Sequence, residues 1–525
     1  MKLRKILCCV FATILMGSLT ACDGGGFGGG GKGGGSGTIN ILYVMGGFDG
    51  DQMDRISADY KAKTGITVKW NGDPNQGTIQ QLLTSRQEVN DIVMPLLNIY
   101  QAQDANLLES LNDVYDAIPE GADKPIKERM NQSLYEYFGA ADGNIYQMPG
   151  QNSVSALCYN ADTLDEAFGA GNWKLPRTTN ELKTMCDQLK MKGYYGFSTS
   201  AGINYYWDYL GLVWWAQYDG MENFSHYYYC EVKNESTGEW EVSQEINDLP
   251  GRRIALDALG TFMSTRNGYM HKNAKAMSFT QAQRAFLGGG HDDDKKKVAF
   301  MVNGDWLEQE MTAWLLANPQ NIGMMRTPVI SNLAGKLATV SGESDLIKII
   351  DAVDAGATSA AEVTGVAVSE SDFEQVRTAR LMAYTATPNY PIAIPSYRPE
   401  NKKKMAKDFL VYLYSDAAQR IMAQELHGLC YPSGYDVLGD ESVQVSNFVR
   451  TRIENFGNDM VAVFPHNVSP AMYRGGLSDL PSLGHPDQSL FEGMSATTML
   501  SKCATDLAAN WTNITKALST SGTQS

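Results

Sequence analysis

Apolar and polar positions along the chain first fall into a clear pattern at Thr38. Thr38 to Met45 (TINILYVM) is a β-rich run, and a glycine-rich loop follows at Gly46 to Gly50. Met53, Ile56 and Tyr60 then share one helix face until Gly65 stops it. Ile66 to Trp70 reads as the next strand, Ile79 to Gln87 as a helix, and Asp91 to Met94 as a short strand ended by Pro95. This βαβαβ succession predicts an α/β lobe on a mostly parallel sheet. Ligands of such sheets bind beyond the carboxyl ends of the strands, which nominates the loops around Phe48, Asn71 and Asn98 as one wall of a site. Further along, Ala406, Phe409, Leu410 and Leu413 predict the buried face of a helix within 405–422. Tyr227 to Lys233 and Trp240 to Val242 predict a β-hairpin. Trp214 and Trp215 follow closely on Leu210 and Leu212 and are expected in the core.

Before Thr38 the pattern differs. Lys2, Arg4 and Lys5 precede an apolar run from Ile6 to Leu19, the layout of a secretory signal and too short for a bilayer span of about twenty residues. The run ends in Leu19-Thr20-Ala21-Cys22, which resembles the lipobox of bacterial lipoproteins and implies acylation at Cys22. Eleven of the fourteen residues Gly24 to Gly37 are glycine. Such a tract buries too little apolar surface to offset its ordering entropy and is expected to be a tether with a typical span of about 20 Å.

Composition narrows the partners. The 525 residues carry 43 Lys+Arg against 59 Asp+Glu, a net charge of −16, which argues against nucleic-acid binding and favours a neutral or cationic partner. Cys158, Cys186, Cys230, Cys430 and Cys503 are widely spaced without a CxxC pair, so buried free thiols are expected, with one bridge such as Cys158 to Cys186 left open. Gly288 to Lys297 (GGGHDDDKKK) is a charge-segregated loop without the spacing of an EF-hand. No cofactor is implied. Nor is there a GxSxG elbow, an HExxH motif or a P-loop.

Several segments, in order, resemble the carbohydrate-binding extracellular solute-binding proteins of ABC importers, the maltodextrin-binding-like group. Asn144-Ile145-Tyr146-Gln147-Met148-Pro149 followed by Cys158 to Leu164 is similar to that family's "G-x-Y-x-x-P … Y-N-x-D" stretch. Leu175 to Leu182 resembles its "P-x-T-W-x-E-L" helix start, with Asn180 where an aromatic is usual. Phe286-Leu287-Gly288 and Val298 to Trp306 resemble "F-x-x-G-x-A-A-M-x-x-x-G-x-W", split by the charged loop. Ile322-Gly323-Met324 with Thr327-Pro328, and the 405–422 helix, resemble two more segments. The match weakens over 331–370 and after 440.

The resemblance implies an α/β fold of two lobes, periplasmic-binding-protein-like, joined by about three hinge crossings and closing on a ligand between them. Crossings are expected near 149–152, 325–328 and 427–432. The division is then a signal with lipobox at 1–22, a tether at 23–37, lobe one at 38–150 and 328–426, and lobe two at 151–327 (with a hairpin at 227–243 and the loop 288–297) and 427–525. It further implies a non-enzymatic, monomeric, lipid-anchored binder that captures an oligosaccharide and hands it to ABC permease subunits.

A sugar offers hydroxyls and flat C–H faces, so its binder needs aromatic platforms and side chains that both donate and accept. Trp306 stands where the family's stacking tryptophan is found, and Asn204, Tyr205, Tyr206, Trp207 and Asp208 resemble its aromatic loop. Asp49, Asp208 and Asp305 are the carboxylates expected on vicinal hydroxyls. Phe48 adds a platform, Asn152 a hinge-side amide, Asn98 a loop amide and Tyr390 a phenol. Two alternatives stay open: a lipoprotein binding a peptide or polyamine, and a surface glycosidase, which needs only two carboxylates at the right separation.

Overall fold

The computed structural model describes residues 37–520 apart from 45–49, 74–75, 97–98, 141, 201–203, 292 and 481–489. Cys22 with the signal and most of the tether, and the expected site residues Phe48, Asp49 and Asn98, lie outside the described residues.

The opening βαβαβ pattern folds as read. Strands β1 (Thr38–Val44), β2 (Thr67–Asp73) and β3 (Ile92–Met94) form a parallel sheet in the order β2-β1-β3, with helices Asp51–Thr64 and Gln76–Thr84 as the crossovers. Gly65, at φ 77°, ends the first helix in a left-handed cap that L side chains adopt at a cost. Asn71, expected in a loop, lies in β2 because that strand runs three residues past Trp70.

The chain then crosses through β4 (Met148–Pro149) to β5 (Ser155–Asn160) and continues with β6 (Tyr195–Phe197), the hairpin β7 (Glu231–Lys233) and β8 (Trp240–Val242), β9 (Val298–Gly304), β10 (Ile322–Met325), β11 (Met382–Tyr384), β12 (Pro391–Ile392) and β13 (Val461–Val463). The larger sheet has the order β13-β11-β5-β9-β6, with β10 also pairing β5. Only β5 opposes the others in this sheet, so β6, β9, β11 and β13 all end on one edge. The hairpin is shorter than expected, since Met221–Tyr227 is helical and the strand begins at Glu231.

Apolar packing decides which segment belongs to which unit. Leu346, Ile349 and Ile350 of helix Glu343–Asp354, and Phe373 and Val376 of helix Glu370–Leu381, join the core of the larger sheet with Trp207, Trp214 and Phe262. Residues 328–384 therefore sit in the second unit, not in lobe one where the 328–426 boundary put them, and no crossing occurs at 325–328. The chain returns to the first unit between Tyr384 and Pro391, where β12 pairs β4 and Ala393 bridges Val93. The expected 405–422 helix is two helices, Glu400–Leu413 and Asp416–Glu425, because Ser415 accepts from Ala418 N at 3.3 Å and starts a new one. Ala406, Phe409, Leu410 and Leu413 are buried. Val437 and Val443 pack on Ala423, so 427–446 stays with the first unit, and helix Asn447–Asn455 then docks on β10 through Asn455 Nδ2 to Met324 O at 3.1 Å. Three connections thus join the units: 150–154, 385–390 and the approach to Asn447. All five described cysteines are free thiols.

Candidate functional site

The common edge of β6, β9, β11 and β13 carries an aromatic belt. β9 ends at Gly304, and the chain turns so tightly that the half-buried Trp306 ring lies back over it. A Cβ at Gly304 would meet that ring at 2.2–2.5 Å, so the position of Trp306 depends on glycine here. Tyr209, itself buried, meets Trp306 edge-on with ring centroids 6.4 Å apart and lies 4.6 Å from the likewise buried Tyr384, the last residue of β11, so Trp306 is the half-buried end of the row. Tyr206 stacks on Tyr209 at 5.5 Å, one helical turn away. Across the next strand pair Tyr384 is in register with Val463. Phe464 and His466 follow, stacked at 5.4 Å, and Tyr228 also stacks on His466 at 5.5 Å. Four strand spacings of about 4.8 Å give this edge a length of about 19 Å.

At the β13 end the belt opens into a groove of about 1250 Å³ between the two units. Its second-unit wall includes Tyr229, Phe464, His466, Tyr473 and Arg474, and its first-unit wall includes Gln103, Asp104, Glu136, Tyr137, Asp142 and Tyr146. Helix Tyr100–Asp104 begins beyond the carboxyl end of β3 and Phe464 directly follows β13, so each wall includes a segment that follows a strand end. Tyr146 donates to Asp142 at 2.6 Å, which holds that carboxyl below its ordinary pKa. Burial lowers the His466 pKa to about 4, with His226 adding a smaller like-charge effect, so the ring is neutral at pH 7. A neutral imidazole among aromatic rings both donates and accepts.

The structure sorts the expected site residues. Trp306 lies on the belt. Tyr206 is buried against Tyr209, which is buried to the same extent. Trp207 is not at the edge: its ring is fully buried against Phe197 at 5.7 Å, because it leads into the almost wholly buried helix Asp208–Asp219. Asp208 is buried at the start of the same helix and offers no solvent-facing carboxylate. Trp214 and Trp215 are in the core. Asn204 and Tyr205 lie in the one-turn helix Asn204–Trp207.

Asp305 is likewise not a sugar-facing group. Its Oδ2 accepts from Val154 N at 3.0 Å and from Arg452 Nε at 3.3 Å, and its backbone N–H donates to Val154 O at 3.0 Å. Burial raises its pKa despite the neighbouring guanidinium. Arg452 also donates to the carbonyl of the half-buried Asn152 at 2.5 Å. The trio therefore fastens the 150–154 connection to β9 and helix Asn447–Asn455. Tyr390 lies on the second connection, its carbonyl accepting from Gly150 N at 2.5 Å.

Tyr209, Tyr384, Tyr473, Arg474 and Asp104 were not singled out from the sequence. Tyr209 had a usable signal, three residues after Tyr206. Tyr384 was hidden by the strand's shortness, and the 464–474 wall falls where the resemblance had faded.

Two α/β units joined by three connections, with an aromatic strand edge opening into a groove between them, define a two-lobed binding protein. The chain belongs to the bacterial extracellular solute-binding protein family, whose sequence model matches residues 55–445. Among solved structures it is similar to a chitin oligosaccharide binding protein at 14% identity and a TM-score of 0.56, over 90% of this chain and 99% of that one. That likeness is one of fold. No curated relative matches the sequence. Among the described residues no helix is long and apolar enough to cross a membrane.

Proposed function

We propose that the protein is a lipid-anchored, monomeric and non-enzymatic binding component of an ABC importer that captures an oligosaccharide between its lobes and delivers it to a permease. The observation that carries this reading is the interlobe groove, whose two walls bring together the half-buried rings of Tyr146, Tyr229, His466 and Tyr473. Flat apolar rings flanked by groups that both donate and accept suit the alternating C–H faces and hydroxyls of a glycan. The groove's volume of about 1250 Å³ favours several sugar units over one. The solved structure it resembles, a chitin oligosaccharide binding protein, agrees in substrate class. Capture works as a population shift: a glycan touching both walls stabilises the closed arrangement, and the permease recognises that arrangement.

Titration of tryptophan fluorescence and calorimetry with chito-, malto- and xylo-oligosaccharides, a peptide and spermidine tests the reading. Saturable binding of one glycan series is expected. Binding of the peptide or spermidine alone points to the non-sugar alternative, and release of shorter sugars points to a glycosidase. The anchor is tested separately, since Cys22→Ser should move the protein from the membrane fraction to the soluble one.

A further inference from the structure

One contact across the groove has a character that the others lack. Asp104, at the end of helix Tyr100–Asp104 in the first unit, accepts a hydrogen bond from Tyr473 Oη at 2.5 Å and pairs with Arg474 of the second unit. The Arg474 guanidinium lies 4.8 Å over the Tyr473 ring, so the two second-unit residues present a joined face to the carboxylate. The phenol is held protonated, with burial and the Asp104 bond raising its pKa to about 12. All three residues line the groove. Among the described residues, Asp104–Arg474 is the one ion pair that joins the first unit (37–149, 390–446) to the second (155–384, 447–520). Other cross-unit contacts lie beside the chain connections, as Ser446 with Glu308, or are buried or uncharged, as Tyr473 with Tyr100 at 6.5 Å. Examples are Asn131 Nδ2 to Met460 O at 2.7 Å and Tyr137 against Phe464 at 4.6 Å.

We infer that Asp104, Tyr473 and Arg474 form an interlobe latch that sets how much of the ligand-free protein has its groove closed, and thereby the apparent affinity for the glycan. This rests on the proposed binding function for its consequence, though not for its geometry. A contact made only when the walls approach shifts the equilibrium toward closure in the ligand-free protein, and apparent affinity scales with the population of the competent state. The pair is partly solvated, with side chains 41% and 36% exposed, so the latch is weak enough to be opened and is sensitive to salt.

The test uses small-angle X-ray scattering on the ligand-free full-length protein, with Asp104→Arg, Arg474→Asp, the exchanged double variant and the milder Asp104→Asn. Each single variant should raise the radius of gyration without ligand, and the exchange should restore it. Raising NaCl from low concentration to about 1 M should expand the native protein and leave Asp104→Asn unchanged, which covers the case of a charge-reversal variant that does not fold. Affinity for whichever oligosaccharide binds should fall about twofold to fivefold in Asp104→Asn. If Asp104 instead touches the sugar directly, affinity falls while the ligand-free radius stays fixed and the exchange fails to rescue, and the latch is overturned. A changed ligand-free radius with no oligosaccharide bound by any form supports the latch and removes the sugar reading alone.

Discussion

Asp305 with Arg452 and Asp104 with Arg474 are the same two chemical groups placed in opposite surroundings. The first pair is 1% and 7% exposed and is built into a connection, where Val154 N and the Asn152 carbonyl complete its hydrogen bonding. The second is 41% and 36% exposed and spans open space between two units. Two charges about 4 Å apart attract by about 1 kcal/mol in water and by about 4 at the effective dielectric of a protein surface. Burial also makes a missing partner expensive, because the remaining charge has nowhere to be solvated. The buried pair is therefore a fastening that persists whatever the lobes do, and the exposed pair can come apart within thermal reach. The expectation that Asp305 faces the ligand failed on this distinction.

Removing one carboxylate from each pair separates the two surroundings most strongly. Asp305→Ala should lower stability by about 3–5 kcal/mol, since it strands the Arg452 guanidinium in a buried site, and urea unfolding followed by circular dichroism reads the loss directly. A loss as small as that of the Asp104 variants would show that burial does not separate the two pairs.

Burial acts on an ionisable ring as well as on an ion pair. His466 is held at about 4 by burial, below the ordinary 6.5. The folded state therefore binds fewer protons than the unfolded one between these values. The stability that this group contributes is fully present above pH 6.5 and lost as pH falls through 4, by at most roughly 3 kcal/mol. Thermal unfolding at pH 7, 6, 5 and 4.5 should show the decline, and His466→Gln should flatten it. A slope that His466→Gln leaves unchanged would assign it to other groups.

Much of the fold was legible because short-range periodicity is a local property. β1 to β3 and their helices announce themselves by alternation and by Gly65. What was not legible was which unit a helix joins. The apolar stripe of Leu346, Ile349 and Val353 demands burial, but the partner surface is some 130 residues away in sequence, at Trp214 and its neighbours. The site divided the same way. Trp306, expected in the site from the resemblance, is half buried just after β9, whereas Trp207 and Asp208, expected beside it, are buried, because a residue type suited to sugars is equally suited to a core. The direction of a side chain, which decides between the two, is set by the helix that follows.

Trp306 is tested at two positions, its own and Gly304 two residues before it. Trp306→Ala should weaken oligosaccharide binding at least tenfold, about 1.4 kcal/mol, with the unfolding midpoint little changed because the ring is only half buried. Gly304→Ala should weaken it comparably although it removes no binding atom, because the added methyl occupies the space of the indole. Unchanged calorimetric affinity in both variants would take Trp306 out of the site.

The smallest effect returns to the exposed pair. Asp104→Asn keeps an acceptor for Tyr473 and removes the charge facing Arg474, so its stability cost should be about 0.2–1 kcal/mol at low ionic strength. At about 1 M salt the Debye length falls to about 3 Å, and the difference from the native protein should vanish. The Asp305→Ala loss should survive that salt, because ions do not reach a pair that water does not reach. Parallel urea titrations of the two variants at low and high NaCl thus read the two surroundings against each other. A salt-independent Asp104 effect would mean that the carboxylate acts through its hydrogen bond to Tyr473 and not through its charge.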